Sequence, residues 1–389
     1  MKILFVINNF YVTGNGLAAS ARRTVEYLKQ TGHEVRILSG PNLNAPQPQP
    51  DYQLETYVFP IINPIIKAQG YCFSASNPAL MKEAVEWADV IHLEEPFVVE
   101  DRMIHIAREM GKPVTATYHL HPENITNSLG PLRYWKGLNR TILRAWKKHT
   151  FNFCDYVQCP TENVLDRLRR YHIQSRLELI SNGVVPDPCI RPEAMPEDYL
   201  NPVRPLKVIY IGRLSREKDH DTLLKAMTYS RYSRRIQLHF AGLGPKTDSI
   251  KRKAHSLYEK GILGYDPIIT FEDRDGLRKM AAEADLAIHC ATIEVEGLSI
   301  MEAMQQGVVP VIASGRYSGT SQFAIDKRSI FPAENPEALA NRIDYWLDHP
   351  EERWEMGKKY AAHMEQYDIR RSVEALLEMF QKAIDLRKA

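Results

Sequence analysis

The sequence predicts an α/β protein built from two doubly wound domains of Rossmann type. Its 389 residues exceed what one compact core usually holds. Short apolar runs alternate with segments of helical periodicity in both halves, which is typical of parallel strands connected by helices. A passage with six prolines between positions 186 and 205 separates the halves. Because proline interrupts both helices and strand ladders, this passage is predicted to be a linker.

The predicted strands define the domain boundaries. They span residues 2–8, 34–39, 90–93, 113–118, 156–159 and 178–180 in the first half, and 207–212, 236–241, 268–271, 286–289 and 309–313 in the second. We expect a first domain over 1–190, the linker over 191–206, a second domain over 207–365 and a final helix over 366–389. Doubly wound domains bind ligands at the carboxyl ends of their strands, so the loops after the strands are where a site is expected.

Composition and charge describe an ordinary globular protein. Hydrophobic residues make up 44% and charged residues 25%, and the formal net charge of +2 gives no indication of a nucleic-acid-binding protein. No apolar run approaches the roughly 18 residues of a membrane-spanning helix. The first residues predict a buried strand rather than a signal peptide, and the five cysteines lack zinc-site or disulfide-framework spacing. We therefore expect a cytoplasmic protein.

A glycine-containing turn before a helix in the second half predicts a phosphate-binding site. Gly297 allows another molecule to approach the backbone closely. The amides of Leu298 and Ser299 then lie at a helix N-terminus, where unpaired N–H groups and the helix dipole favour phosphate. Glu302, further along the helix, could reach a ribose, and Glu294 could accept hydrogen bonds from sugar hydroxyls. The spacing of these residues is equally compatible with a ligand site and with an ordinary N-cap region followed by a solvated helix face.

Two further loops of the second half carry residues suited to a nucleotide. Arg213 and Lys218 follow the strand 207–212, and they could bind a diphosphate as a planar fork and a point charge. The alternative for this stretch is an exposed charged loop. Gly242, at the end of the next predicted strand, would let a flat base or a phosphate approach the backbone.

In this order, the segments resemble the family 4 (group 1) glycosyltransferases, a retaining GT-B-fold family typified by sucrose and glycogen synthase-like enzymes. The most specific match is a pair of glutamates separated by seven residues, Glu294 and Glu302. The surroundings match at Gly-Arg-Leu and Glu-Lys within 212–218, Glu-Ala-Met at 302–304, Gly307, Pro310, and Asn-Gly-Val at 182–184. The resemblance covers nearly the whole chain. It implies two Rossmann-like domains facing a central cleft, with the last helix crossing back to the first domain.

The resemblance implies roles for residues of the second domain. Arg213 and Lys218 would neutralise the diphosphate of a nucleotide-sugar donor, and Glu302 would hold the ribose hydroxyls. Glu294 would bind hydroxyls of the transferred sugar near the reacting carbon. The backbone amides of Gly297, Leu298 and Ser299 would bind the distal phosphate.

In the first domain, Gly14 and Gly16 match the family's glycine-rich loop after the first strand, where acceptor and diphosphate meet. His119 matches a histidine that contacts the transferred sugar, and His121, two residues further on, leaves this assignment open. The implied catalytic residues are Glu294, His119, Arg213 and Lys218. The family retains the anomeric configuration without an obvious enzymic nucleophile.

Neither a metal nor a cofactor besides the donor is expected, since cationic side chains and a helix end are available for the diphosphate. Asp273-Arg274-Asp275 resembles the metal motif of another glycosyltransferase fold, but it opens a predicted helix, where an aspartate serves as N-cap.

Three departures from the family pattern concern the donor. Asp219 stands where glycine usually follows the lysine, Cys290-Ala291 replaces Pro-Ser, and Glu296 replaces a phenylalanine. These leave the reaction class unaffected but do not distinguish glucose from galactose. UDP is the expected nucleotide because it dominates this branch of the family.

A basic amphipathic segment, Leu132 to His149, indicates the acceptor. One side of its helical wheel gathers Arg133, Lys136, Arg140, Arg144, Lys147 and Lys148, and the other gathers Leu132, Trp135, Leu138, Ile142 and Trp146. A basic face opposite tryptophan is typical of helices in a membrane interface, although a domain helix with a solvated basic side has the same pattern. Together with the preceding His121–Ile125, the segment resembles the branch that glycosylates diacylglycerol.

We therefore expect transfer of a hexose from UDP-hexose to diacylglycerol or ceramide, by an enzyme docked on the inner face of the cell membrane. One alternative is a saccharide acceptor in surface polysaccharide biosynthesis. A second is a non-catalytic protein that binds a nucleotide sugar.

Overall fold

The computed structural model describes residues 1–13, 15–59, 71–127 and 135–388, apart from the side chain of Lys136. The chain forms two compact units: Met1–Gly183 together with Ile369–Ala389, and Val184–Asp368. Each unit contains a parallel sheet flanked by helices, so the prediction of two doubly wound α/β domains is confirmed.

The first unit is built on a seven-stranded sheet whose strand order is β3-β2-β1-β6-β7-β8-β9. Its strands are β1 (Lys2–Val6), β2 (Glu34–Ser39), β3 (Tyr52–Gln53), β6 (Val90–Leu93), β7 (Val114–Thr117), β8 (Tyr156–Cys159) and β9 (Arg176–Leu179), and a separate antiparallel pair is formed by β4 (Thr56–Tyr57) and β5 (Phe73–Ser74). Strands β6, β7 and β8 are buried throughout, because helices cover both faces of the sheet.

The helices of the first unit are Gly16–Gln30, Pro78–Trp87, Val98–Glu109, Pro122–Thr126, Lys136–His149, Glu162–Arg170 and Ile369–Lys388. Side chains of Asn15, Asn77 and Thr161 accept backbone N–H bonds and so begin three of them. The last helix packs on this unit from the far end of the chain. Its Phe380 ring lies 5.1 Å from the His92 ring, and Arg387 Nη2 lies 2.7 Å from Asp155 Oδ1.

The second unit is built on a six-stranded parallel sheet whose order is β12-β11-β10-β13-β15-β17. Its strands are β10 (Leu206–Ile211), β11 (Ile236–Ala241), β12 (Ile268–Thr270), β13 (Leu286–His289), β15 (Val309–Ser314) and β17 (Ile330–Pro332), with a small pair of β14 (Ile293–Glu294) and β16 (Tyr317–Ser318). Its helices are His220–Ala226, Thr247–Glu259, Arg274–Glu283, Leu298–Gln305, Pro336–Asp348 and Pro350–Met364.

The proline-rich passage 191–206 is not a linker between the units, contrary to the sequence prediction. It belongs to the second unit, and the chain passes between units at Gly183–Val184 and Asp368–Ile369. Arg204 donates to both oxygens of buried Asp285, at 2.6 and 2.9 Å. Arg191, itself buried, donates to the carbonyl oxygen of Ala282 at 2.9 Å. Prolines exclude regular structure here, but the arginines between them attach the passage to the domain.

Candidate active site

The first loop of the second unit leaves β10 and runs from Arg213 to Lys218. Tyr210, buried near the end of β10, donates its phenolic hydrogen to the carbonyl oxygen of Lys218 at 2.5 Å and so holds the loop's far end. Arg213 is half-buried in this loop. Asp219, which stands in place of the family's glycine, adopts the left-handed conformation that glycine favours, with φ +49° and ψ +47°.

Gly242 packs two loops together, and its approach to a base or phosphate stays a prediction. A Cβ at this position would lie 2.1 Å from the carbonyl oxygen of Gly212, and the residue has a φ of +147°. The loop after β11 is thereby pressed against the loop after β10. The amide of Leu214 donates to the carbonyl oxygen of Leu243 at 3.1 Å. The close approach that the glycine permits is taken up by the protein's own backbone.

Gly297 occupies the N-cap of the helix Leu298–Gln305 in a left-handed conformation, with a φ of +97°. A Cβ there would lie 2.7 Å from the side chain of Thr320, so the position requires glycine on two grounds. Ser299 donates its hydroxyl to the carbonyl oxygen of Ile211, at the end of β10, at 3.0 Å. This bond fixes the helix N-terminus, with its first-turn amides, beside the loop that carries Arg213 and Lys218.

Lys218 and Glu294 meet although 76 positions separate them in the sequence: Lys218 Nζ forms a direct ion pair with Glu294 Oε2. The loops around them are joined as well, since the amide of Thr292 donates to the carbonyl oxygen of Glu217 at 2.8 Å. His289 approaches the same carboxylate, with Nε2 at 3.6 Å from Oε2. Burial raises the pKa of Glu294, but Lys218 and then His289 outweigh it, and the pKa falls to about 2. Glu294 is therefore fully ionised at neutral pH.

His289 is a residue of this site that the sequence interpretation missed. It ends β13, five positions before Glu294, and is completely buried. A histidine at the end of a buried strand was the available signal, but the contact depends on how β14 returns past β13. Glu302 lies half-buried on the helix Leu298–Gln305, which places it on the same helix as the Ser299 amide.

In the first unit, a buried carboxylate accompanies His119. Nε2 of His119 lies 2.6 Å from Glu94 Oε2, and Nε2 of His92 lies 3.3 Å from Glu94 Oε1. Burial raises the pKa of Glu94, but His119 and then His92 lower it to about 2. Glu94 directly follows β6, and His119 comes two residues after β7, so both lie at the carboxyl edge of the sheet. Glu94 was not identified from the sequence.

His121 has a different environment. It is buried, and its Nδ1 lies 3.1 Å from Tyr118 Oη and 3.0 Å from Arg167 Nη1. Arg167 in turn donates two hydrogen bonds of 2.9 Å to the Glu123 carboxylate. His121 thus belongs to a buried network that ties the helix Pro122–Thr126 to the helix Glu162–Arg170.

Of the two glycines predicted for the first loop, Gly14 lies outside the described residues. Gly16 is the first residue of the helix Gly16–Gln30, where Asn15 accepts hydrogen bonds from the amides of Leu17 and Ala18. A Cβ at Gly16 would meet no atom within 4 Å, so the described part of the protein leaves open space at this position.

The basic helix Lys136–His149 packs part of its apolar side against the first unit. Leu143 and Trp146 are buried, and the Trp146 ring lies 6.3 Å from that of Phe97. Trp135, just before the helix, is 63% exposed and so does not belong to the buried stripe. Lys147 donates to the carbonyl oxygen of Tyr171 at 2.9 Å. The exposed basic residues are Arg140, Arg144 and Lys148, while Leu132 and Arg133 lie outside the described residues.

Two features bear on metals and membranes. Asp273 caps the helix Arg274–Glu283 by accepting a hydrogen bond from the amide of Gly276 at 2.8 Å, as the sequence predicted for this aspartate pair. Among the helices that the structure describes, none is both long and apolar enough to cross a membrane.

Comparison with known proteins identifies the family. The glycosyltransferase family 4 model matches residues 14–188, and the model for glycosyl transferases group 1 matches residues 193–363, together most of the chain. An alpha-monoglucosyldiacylglycerol synthase from Streptococcus pneumoniae is 24% identical over 325 residues, covering 81% of this chain and 71% of its own. A GDP-mannose-dependent alpha-mannosyltransferase from Mycolicibacterium smegmatis is 24% identical over 326 residues, covering 80% and 79%.

Solved structures agree with these matches in fold. Sucrose-phosphate synthase from Thermosynechococcus elongatus superposes with a TM-score of 0.72 at 17% identity, over 99% of this chain and 100% of that one. Anabaena HepE, solved in complex with UDP-glucose, gives a TM-score of 0.68 at 16% identity, over 98% and 100%. The chain therefore belongs to the family 4 (group 1) glycosyltransferases and has their two-domain GT-B fold.

Proposed function

We propose that this glycosyltransferase transfers a hexose from UDP-hexose to a membrane lipid, diacylglycerol or ceramide, with retention of the anomeric configuration. The observation that carries the donor assignment is the convergence of Lys218, Glu294 and the helix N-terminus at Leu298 on one edge of the second sheet. A cation and helix amides suit a diphosphate. A fully ionised carboxylate beside them suits the hydroxyls of the sugar attached to it.

In the proposed reaction, the acceptor hydroxyl attacks C1 of the hexose from the face that the diphosphate leaves. The bond between C1 and the diphosphate oxygen breaks, the new glycosidic bond forms, and the departing oxygen takes the acceptor's proton. Lys218 and Arg213 stabilise the charge that develops on the leaving group, and Glu294 orients the sugar. In the first unit, His119 is our candidate for contact with the sugar, because His121 is committed to Tyr118 and Arg167.

Cationic side chains and helix amides are the groups that we assign to the diphosphate, so we propose metal-independent transfer and no cofactor. Turnover that persists in excess EDTA supports this assignment. Turnover that disappears in EDTA and returns with Mg²⁺ or Mn²⁺ contradicts it.

A lipid acceptor is supported by the exposed basic face of the helix Lys136–His149 and by the relative named as an α-monoglucosyldiacylglycerol synthase. Basic residues near an anionic leaflet contribute about 1 kcal/mol each. We accordingly propose a cytoplasmic enzyme that docks reversibly on the inner face of the cell membrane. Because Leu143 and Trp146 pack inside the domain, this docking is electrostatic rather than an insertion of the helix.

The burial of that apolar side also favours a second candidate, a glycosyltransferase that acts on a saccharide in surface polysaccharide biosynthesis. A relative named as a D-rhamnosyltransferase, 24% identical over 299 residues, is compatible with this alternative. The relatives named for GDP-mannose likewise make GDP-mannose the rival donor.

The experiment that separates these candidates is a transfer assay with labelled UDP-glucose, UDP-galactose and GDP-mannose, with and without vesicles containing diacylglycerol or ceramide. Label that becomes extractable into organic solvent only with added lipid supports the lipid acceptor and identifies the donor. Label transferred only to an added saccharide replaces the lipid proposal with the second candidate.

Membrane docking is tested by vesicle sedimentation with a variant in which Arg140, Arg144 and Lys148 are changed to Glu. Loss of these three positive charges, at about 1 kcal/mol each, should weaken binding to anionic vesicles on the order of 100-fold, and their reversal to negative charges should weaken it further. A matched control changes the exposed Lys251, Arg252 and Lys260 of the second unit to Glu. Equal binding by both variants contradicts the docking surface.

A further inference from the structure

We propose that His289 is a positioning residue, which holds the Glu294 carboxylate when Lys218 turns from it to the donor diphosphate. The inference rests on the proposed function, because it assumes that Lys218 binds the diphosphate and Glu294 binds the transferred sugar. The same lysine is then needed in two places during the reaction.

The geometry shows a carboxylate oxygen with two candidate partners. Lys218 Nζ contacts Glu294 Oε2 directly, while His289 Nε2 lies 3.6 Å from the same oxygen, just beyond hydrogen-bond distance. Neither ring nitrogen of His289 has a hydrogen-bond partner among the described residues, although the side chain is completely buried. A buried imidazole without partners is unfavourable, so a movement of under 1 Å that forms the bond to Glu294 is favoured once the oxygen is released.

Departure of Lys218 creates the need for a replacement. Glu294 is mostly buried, and a buried carboxylate that loses its counter-charge is strongly destabilised. It would respond by taking up a proton or turning away, and in either case it would cease to accept the sugar's hydroxyls in the same way. Burial lowers the pKa of His289, so the ring is neutral at pH 7 and can donate one N–H to Glu294. One carboxylate oxygen is then held while the other accepts from the sugar.

The rings next to His289 bear on the orientation of its own ring. The ring of Tyr210 lies parallel to it, with centroids 6.4 Å apart and an interplanar angle of 10°. His220 lies against Tyr210, with centroids 4.2 Å apart. The titratable and charged groups that act on His289 are thus Glu294 from β14, Lys218 from the β10 loop, Tyr210 from β10 and His220 from the following helix.

The test compares four variants by calorimetric binding of the nucleoside diphosphate and of the complete nucleotide sugar. His289→Leu should weaken binding of the nucleoside diphosphate and of the nucleotide sugar about 10- to 100-fold, because each draws Lys218 away from Glu294, and the loss should be larger for the nucleotide sugar, whose hydroxyls also need the carboxylate. His289→Gln should restore most of the loss, because its amide lies near the position of Nε2. His289→Asn, whose amide lies near Nδ1, should not. His239→Leu is the control, a histidine of the same sheet whose Nε2 lies 2.7 Å from Thr270 Oγ1 rather than near Glu294, and it should leave both affinities unchanged.

A second measurement is the pH dependence of turnover. In His289→Leu the acid limbs of both kcat and kcat/KM should move to higher pH, because His289 lowers the pKa of Glu294. The move should be larger for kcat, which describes the donor-bound enzyme, than for kcat/KM, which describes the free enzyme with Lys218 in place. If His289→Leu does not fold, the difference in affinity between His289→Gln and His289→Asn tests the proposal.

Unchanged affinity for both ligands in His289→Leu, or equal behaviour of the Gln and Asn variants, would overturn the positioning role. Wild-type protein that binds no nucleotide sugar would instead overturn the proposed function.

Discussion

Replacement of Glu294 by Gln is the perturbation that most directly tests the site. The substitution keeps the shape of the side chain but removes the charge that Lys218 and His289 approach. The ionised carboxylate, which accepts hydrogen bonds at both oxygens, becomes an amide with one oxygen that accepts more weakly. We expect the protein to remain folded and transfer to fail.

The magnitude follows from the pKa of Glu294. A pKa of about 2, against the ordinary glutamate value of 4.5, means that Lys218 and His289 stabilise the charged form by about 3 kcal/mol, at 1.36 kcal/mol per pH unit. Because the pKa is depressed in the folded protein, this contribution is fully present above pH 4.5 and is lost as the pH falls towards 2. Glu294→Gln removes this charge from the position proposed for the sugar's hydroxyls, and loss of one such preorganised acceptor should lower kcat on the order of 100-fold or more.

The assay is initial-rate transfer at pH 7 with the donor that the wild-type protein uses, alongside thermal unfolding. Glu283→Gln is the matched control, since Glu283 also pairs with a lysine, at 2.7 Å from Lys207, but on the exposed surface of the same unit. The control should have near-normal kcat. A Glu294→Gln variant with more than a third of wild-type kcat would refute the assignment, and one that is unfolded at 25 °C would refute the view that the pair serves function rather than stability.

Three further predictions concern the framework and the first unit. Asp285→Asn should destabilise the second unit by about 3–5 kcal/mol, because it removes the negative charge opposite buried Arg353; chemical unfolding monitored by circular dichroism measures this loss. Gly242→Ala should cost on the order of 1–3 kcal/mol in unfolding free energy, since its Cβ would meet a carbonyl oxygen at 2.1 Å in a conformation with positive φ, and a variant as stable as wild type would contradict the packing role. His119→Ala should lower kcat far more than His121→Ala when both are assayed well below their melting temperatures, because His121 is committed to Tyr118 and Arg167, and the reverse order would exchange their roles.

The strands of both sheets could be predicted because parallel strands buried on two faces are nearly continuous apolar runs. Strand β1 begins at Lys2 as expected, and β13 spans 286–289 in both the prediction and the structure. The family resemblance assigned Lys218 and Glu294 to one donor site. Their spacing in the sequence did not predict the direct contact between them. That resemblance carried no information on His289 or Glu94, whose partners are set by the approach of separate loops.

Two failures have a common physical cause. Proline content excludes helix and ladder at 191–206, but it does not determine whether the passage is buried, and Arg191 and Arg204 attach it to the second unit. Likewise, a stripe of leucine and tryptophan on the helix Lys136–His149 predicts an apolar partner without saying whether that partner is lipid or the protein itself. A sequence pattern indicates that a segment is irregular or has an apolar side. Only the folded structure shows which groups the segment packs against.

The way the chain enters and leaves the second unit has a practical consequence. That unit is one uninterrupted segment, Val184–Asp368, whereas the first unit needs both ends of the chain. The entry and exit points adjoin, since a Cβ on Gly183 would lie 2.6 Å from Cα of Ile369. The second unit is thus an insertion within the sequence of the first unit. A single gene fragment therefore encodes all of the second unit, whereas a gene for the first unit has to join two separate segments of the sequence.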